Sequence, residues 1–234
     1  MSSDRPALRR IHPSVVDPIG IREAYDVERS ALPDRPWIGL CMVTSLDGTV
    51  AVDGRSGGLG NPNDLEVLLT LRSLADVVVV GAGTVRDEGY GAPRRPGQRV
   101  GVVTRSGQVD LEGPLFTSGS GFLIAPHDAD IDDDRVEVLR AGNGLVDLAQ
   151  AVRRLHEVVP GVRHVQAEGG PILNAALLSA DLIDELDLTL ASRLSGGPGR
   201  RLTHDAPEID RRFDLAHLLV DDDGFLFGRW TRRR

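Results

Sequence analysis

The hydrophobic positions fall into short uninterrupted runs separated by stretches with helical spacing. Trp37–Val43 is apolar throughout and stops at Ser45-Leu46-Asp47-Gly48, which reads as a buried strand ending in a turn. Asn61-Pro62 marks a helix start, and Leu65, Leu68, Leu69 and Leu71 follow at helical spacing until Asp76. Val77–Val80 then forms a strand without polar alternation, as expected for a central strand covered on both faces. Strands are predicted at Val100–Thr104, Phe122–Ala125 and Val136–Leu139. An amphipathic helix follows over Leu145–Val158, carrying Leu148, Val152 and Leu155 on one face. His164–Ala167 is a strand running into Glu168-Gly169-Gly170-Pro171 and a helix over Ile172–Ser179, and Asp187–Ala191 is the next strand. Asp214–Val220 and Phe225–Trp230, joined by Asp221-Asp222-Asp223-Gly224, read as an antiparallel hairpin.

Strands alternating with helices predict an α/β fold, a mainly parallel sheet with helices on both faces and a C-terminal antiparallel hairpin. Residues 1–35 carry no strong pattern and read as an extension packing on the body through Ile11, Val15, Val16 and Ile19, with a short helix over Ile21–Arg29. Residues 36–234 read as one domain. The 234 residues suffice for one large core. Aromatics make up only 4%, so that core must be aliphatic, which suits a parallel sheet.

The formal net charge of −8 disfavours general nucleic-acid binding, so a charged ligand needs a local basic pocket. Cys41 is the only cysteine and lies in an apolar strand, where it reads as a small core hydrophobe. One cysteine forms no intrachain disulfide, and neither a membrane-length apolar run nor a signal-peptide core is visible. The expected setting is the cytoplasm. The six histidines have no metal-ligand spacing, Asp128–Asp134 reads as a solvated loop or helix start, and Arg232–Arg234 as a solvated tail.

Candidate chemistry lies at four strand ends, where ligands bind on open α/β sheets. Gly81-Ala82-Gly83-Thr84-Val85-Arg86 reads equally as a close ligand approach or as a tight strand-to-helix turn. Glu168-Gly169-Gly170-Pro171 precedes a helix and suits an anion such as pyrophosphate, against the alternative of a plain loop. Thr104-Arg105-Ser106 surrounds a guanidinium with hydroxyls, suiting a phosphate monoester and favouring NADP over NAD; the alternative is an exposed turn. Ser45–Gly48 with Gly54-Arg55-Ser56-Gly57-Gly58 suggests a flap, in which Asp47 is a turn cap or a substrate ligand.

Taken together, Ser45-Leu46-Asp47-Gly48, Leu71-Arg72, Asp76–Arg86 and Glu168-Gly169-Gly170-Pro171 resemble, in order and spacing, the reductase domain of bacterial riboflavin biosynthesis. The resemblance extends over residues 36–230. It implies a dihydrofolate-reductase-like fold with an eight- or nine-stranded sheet, NADPH as cofactor, and a homodimer. It also implies reduction of a ribosylamino-pyrimidine phosphate by hydride transfer to the sugar C1′. By the same resemblance Val43, Gly81, Gly83, Thr84, Val85, Glu88, Thr104, Arg105, Ser106, Gly169, Gly170, Pro171 and Ile172 belong to the cofactor site. Ser45, Asp47, Ser56 and Arg72 belong to the substrate side, with Asp64 and Glu168 as catalytic candidates and Glu168 facing the pyrimidine. No metal is implied.

Two features depart from that family. A fused zinc deaminase needs several cysteines, so the chain reads as a standalone reductase. Beyond Val85 the text is Asp87-Glu88-Gly89-Tyr90-Gly91-Ala92-Pro93, without the family's usual substrate-holding stretch. Asp64, in the first turn of its helix, is either a helix-start acid or the carboxylate that the dihydrofolate reductase plan pairs with a pterin amidine. Reduction of a pterin or another imine therefore stays open, as does a nucleotide-binding regulator without turnover.

Overall fold

The computed structural model describes residues 7–52, 54–132 and 134–234. The polar start of the chain, Asp53 and one residue of the acidic stretch, Asp133, lie outside them. In chain order the elements are β1 (Leu8–His12), α1 (Ile21–Tyr25), β2 (Trp37–Ser45), α2 (Pro62–Leu74), β3 (Val77–Gly81), α3 (Ala82–Glu88), β4 (Arg99–Val103), α4 (Pro114–Thr117) and β5 (Gly121–Ala125). They continue with β6 (Val138–Arg140), α5 (Leu148–Arg154), β7 (His164–Ala167), α6 (Pro171–Ser179), β8 (Glu185–Ala191), β9 (Phe213–Asp221) and β10 (Leu226–Arg232).

All strands join one 10-stranded sheet in the order β1-β9-β10-β8-β2-β7-β3-β4-β5-β6. Its middle and far edge, from β8 to β6, are parallel, while β8, β10, β9 and β1 pair antiparallel. The sheet exceeds the expected eight or nine strands. Part of the difference is β1, which lies in a stretch with no readable alternation and pairs through Leu8↔Asp221 to His12↔Leu218. In the same stretch Ile19 is buried, while Ile11 and Val15 are exposed, contrary to their expected packing role. The helix expected over Ile21–Arg29 stops at Tyr25, and the one expected from Leu145 starts at Leu148, where the Asp147 side chain accepts from the Gln150 amide.

The four-valine strand behaves as its composition requires. Val77 and Val79 enter the core under α5 and α6 with Ile38, Leu40 and Phe122. Val78 and Val80 enter the opposite core with Val100, Val102 and Leu123. The α2 start is fixed from two sides. Asn61 caps the Asp64 amide at 3.0 Å, and the Asn61 and Asn63 side-chain amides both donate to Asp221 at the hairpin turn.

Under β8 runs a buried polar stripe. Glu185 accepts from Arg29 (Nη2, 2.7 Å) and from Arg229 (Nη2, 2.9 Å), and its side chain is fully buried. Desolvation would raise the Glu185 pKa, but the hydrogen bond and charge of Arg229 and the charge of Arg29 outweigh it and hold it down at about 2. Beside it Asp187, fully buried, is pushed well up by desolvation and then by the Glu185 charge, so this carboxyl keeps its proton. Glu185→Ala strands two largely buried guanidinium groups and should destabilise the protein by about 3–5 kcal/mol. Because the folded pKa is depressed, the wild-type advantage is complete above the ordinary glutamate pKa and disappears as pH falls towards 2. Urea denaturation of both proteins at neutral and acid pH checks the size and the sign.

Candidate active site

A cleft of about 1180 Å³ crosses the carboxyl ends of the parallel strands. That exceeds the usual range of roughly 300–1,000 Å³ for one small-ligand site and suits two ligands side by side. Its walls contain Val43, Ser56, Asp64, Gly81, Gly83, Thr84, Glu88, Thr104, Arg105, Ser106, Glu168, Gly170, Pro171 and Ile172 from the expected set.

At one end lie Gly81, Thr84 and Gly170. A Cβ on Gly170 would stand 2.7 Å from Thr84 Oγ1, so only a bare backbone fits there. Gly170 is also the N-cap of α6 without a side-chain cap, and Pro171 opens the helix, which leaves first-turn amides free for an anion. The Thr84 segment is a helix, α3, rather than the plain turn left open by the sequence. The Thr104 hydroxyl accepts from the Gly107 amide at 3.0 Å and shapes its loop. Arg105 projects from that loop, exposed, with no side-chain partner among the described residues.

Glu168 stands at the carboxyl end of β7, its amide bonded to the Val79 carbonyl, and its side chain is only 2% exposed. Arg72 grips it with two bonds, Nε to Oε1 and Nη2 to Oε2, both 2.6 Å, and the Tyr90 hydroxyl donates to Oε2 at 2.7 Å. The Arg72 guanidinium also lies 5.0 Å from the Tyr90 ring centroid. Burial, then the Glu168 charge, pushes the Tyr90 pKa well up, so its hydroxyl stays a donor. Arg72 does not line the cleft; it braces Glu168, which differs from the substrate contact expected of it. Tyr90 was missed. It reaches Glu168 because Gly89, with φ 68°, ends α3 in the left-handed region and turns the chain back.

Of the other expected residues, Ser45, Asp47, Val85 and Gly169 support the walls from outside, while Glu88 and Asp64 stand in them. Ser45 Oγ donates to Asp47 (2.5 Å), which also accepts from the Ser195 and Gly196 amides. These bonds, the Ser45 one first, lower the Asp47 pKa, and they make Asp47 the cap of a loop, one of its two readings. Val85 packs into the core beside β3, and the Gly169 carbonyl accepts from the Gly81 amide. Glu88 accepts from the Ser56 amide at 2.7 Å and holds the flap against α3. Asp64 is largely buried, and desolvation raises its pKa to about 6, partly offset by a hydrogen bond with the Thr189 side chain.

A largely parallel sheet with a terminal antiparallel hairpin and a wide cleft over its strand ends defines a dihydrofolate-reductase-like protein. The chain belongs to the RibD C-terminal domain family, whose model matches residues 36–227. It is 28% identical over 201 residues to a 2,5-diamino-6-ribosylamino-4(3H)-pyrimidinone 5′-phosphate reductase of Methanothermobacter thermautotrophicus, covering 79% of this chain and 90% of the relative. A pyrimidine reductase-like protein of Corynebacterium diphtheriae superposes with a TM-score of 0.78 at 25% identity, covering 92% of this chain and all of that one. The Thermotoga maritima deaminase and 5-amino-6-(5-phosphoribosylamino)uracil reductase shares the fold, with a TM-score of 0.64 at 20% identity over 85% of this chain and 57% of that one. Among the described residues no group of side chains is arranged to hold a metal, and no helix is long and apolar enough to cross a membrane.

Proposed function

We propose that the protein is an NADPH-dependent pyrimidine reductase of riboflavin biosynthesis, acting on a ribosylamino-pyrimidine phosphate. The observation that carries this reading is Glu168, a carboxylate clamped by Arg72 and Tyr90 in the wall of the same cleft that holds the Thr84–Gly170 cradle. The side-chain-free approach at Gly170 and the uncapped start of α6 suit a pyrophosphate, so the residues present fit the dinucleotide. Gly81, Gly83, Thr84, Gly170, Pro171 and Ile172 would hold it, with Thr104, Arg105 and Ser106 at its adenosine phosphate. When bound, NADPH supplies a hydride from nicotinamide C4 to the sugar C1′.

The chain's own part is positioning. Glu168, fixed by Arg72 and Tyr90, faces the pyrimidine and accepts a hydrogen bond from its exocyclic amine. Glu88 holds Ser56 on the substrate side, and Asp47 fixes the loop at Ser195-Gly196. The family resemblance further supports a single reductase domain over residues 36–234, a homodimer and a cytoplasmic setting. A second reading, reduction of a pterin, rests on Asp64, a mostly buried carboxylate on the cleft. Turnover of a dihydropterin without turnover of any ribosylamino-pyrimidine would favour it.

The NADPH preference has a separate test. A charged hydrogen bond to the 2′-phosphate is worth about 1.5–3 kcal/mol. Arg105→Ala should therefore raise the Michaelis constant for NADPH roughly 10- to 100-fold and leave that for NADH nearly unchanged. Equal use of both cofactors by the wild-type enzyme would count against the assignment.

A further inference from the structure

Gly39 stands inside β2, a largely buried strand, where a glycine loses backbone entropy on folding and packs no side chain. Its φ is not positive, so no turn or bend accounts for it. A Cβ at this position would meet three atoms at ordinary contact distance, all of them polar: Gln166 Oε1 at 3.5 Å, His164 Nε2 at 3.6 Å and Asp187 Oδ2 at 3.8 Å. The three residues are buried, and none of these atoms has a hydrogen-bond partner among the described residues. Buried polar atoms are seldom left unpaired, and here three converge on one place. The topology brings them together. β2 lies between β7, which carries His164 and Gln166, and β8, which carries Asp187, and α2 covers this face through Val67 and Leu71.

We propose that one water molecule is bound beside Gly39, donating to His164 Nε2 and Gln166 Oε1 and accepting from the Asp187 carboxyl. The inference is independent of the substrate. Its directions follow from the other bonds of the three side chains. His164 Nδ1 lies 3.4 Å from the Leu74 carbonyl, which only accepts, so Nδ1 carries the ring proton and Nε2 is left an acceptor. Desolvation, then the Arg29 charge, holds the His164 pKa down at about 4, which keeps the ring neutral. Gln166 turns its amide nitrogen to the Ala167 carbonyl at 3.5 Å and leaves Oε1 as the acceptor. Asp187 keeps its proton and donates it. Two acceptors and one donor around a common space match the two protons and a lone pair of a water, and three bonds are usual for an internal one. A cation would suit the two acceptors but not the surrounding charge. Two guanidiniums, Arg29 and Arg229, stand near Asp187 against the single carboxylate of Glu185, and the nearby Tyr25 and Cys41 are held neutral by burial. Gly39 is then a glycine because the water takes the place of its side chain. The water also steadies His164, which holds the Leu74 carbonyl in the same last turn of α2 from which Arg72 grips Glu168.

Gly39→Ala separates a dry site from a hydrated one. In a dry site the methyl group fits and removes a strand glycine, so the melting temperature should rise by a few degrees, about 2–4 °C. In the hydrated site the methyl group displaces the water and strands three buried polar groups, and the melting temperature should fall by roughly 5–10 °C. Asp187→Asn keeps a donor towards the water and should stay within about 2 °C of the parent protein. A crystal structure of the parent protein fine enough to show ordered water should place one about 2.6–3.2 Å from all three atoms, and this decides the matter even if Gly39→Ala fails to fold. An unchanged or raised melting temperature in Gly39→Ala, or no density at the site, overturns the proposal. So does a bound ion, seen as a parent melting temperature that changes between sodium, potassium and choline chloride at equal ionic strength and loses that sensitivity in Asp187→Asn.

Discussion

Gly170→Val is expected to abolish measurable NADPH binding while leaving the protein folded. The position has φ −75° and ψ −171°, a conformation open to any residue, so the backbone itself accepts valine. The conflict lies with the neighbour: a Cβ would sit 2.7 Å from Thr84 Oγ1, and the two valine methyl groups extend further into the space above the first turn of α6. The Thr84 hydroxyl and the free amides of that turn would both be displaced or covered. Loss of one such anion site weakens affinity by roughly 100-fold or more, about 2.7 kcal/mol. Gly91→Ala, where nothing lies within 4 Å of the added Cβ, should leave affinity unchanged. Calorimetric titration of the two variants against the parent protein checks both, with the circular dichroism melting curve reporting the fold. Tight NADPH binding by Gly170→Val would move the pyrophosphate site away from α6.

Glu168→Ala should cost more than its own contact with the substrate. It removes the acceptor for three bonds at once, leaving Arg72, two-thirds buried, and the Tyr90 hydroxyl without their partner. The expected result is a fall in kcat/KM of roughly three orders of magnitude, as for loss of a positioned charge in a buried site. A fall in stability of about 2 kcal/mol should accompany it. Arg72→Ala alone should lower kcat/KM by freeing Glu168 to swing, and the double variant should be little worse than Glu168→Ala. Tyr90→Phe, which keeps the ring and deletes one donor, should cost about tenfold. If Arg72→Ala and Glu168→Ala were additive, the two residues would act separately, and Arg72 would be the substrate ligand that its place in the sequence suggested.

That contrast shows where sequence reading stops. The central strands were legible because a run such as Val77–Val80 has one stable destiny, burial on both faces. The α2 start was legible because Asn61-Pro62 is local capping chemistry. β1 was not, because its five residues hold only two apolar side chains, the buried Leu8 and the exposed Ile11, and its pairing with β9 depends on a strand more than two hundred residues later. The places of Thr84, Glu168 and Gly170 on the cleft wall were legible from glycine-flanked strand ends, which are local. The Arg72–Glu168–Tyr90 clamp was not found, because it joins the last turn of α2, the end of β7 and a loop after α3. One signal was available: Tyr90, one of only two tyrosines in the chain, stands between two glycines directly after the Thr84 segment. The buried stripe of Glu185, Asp187, Arg29 and Arg229 left no trace either, since β8 read as an ordinary strand beginning two residues late.

The central claim, reduction at the sugar carbon by NADPH in this cleft, is tested most directly by product analysis with labelled cofactor. The purified protein is incubated with NADPH deuterated at nicotinamide C4 and either 2,5-diamino-6-ribosylamino-4(3H)-pyrimidinone 5′-phosphate or 5-amino-6-ribosylamino-uracil 5′-phosphate, and the products are examined by mass spectrometry and NMR. The account predicts loss of the nicotinamide absorbance in step with formation of the ribitylamino compound, carrying one deuterium at C1′. Oxidation of NADPH without deuterium at C1′, or no oxidation with either compound at millimolar concentration, would contradict it.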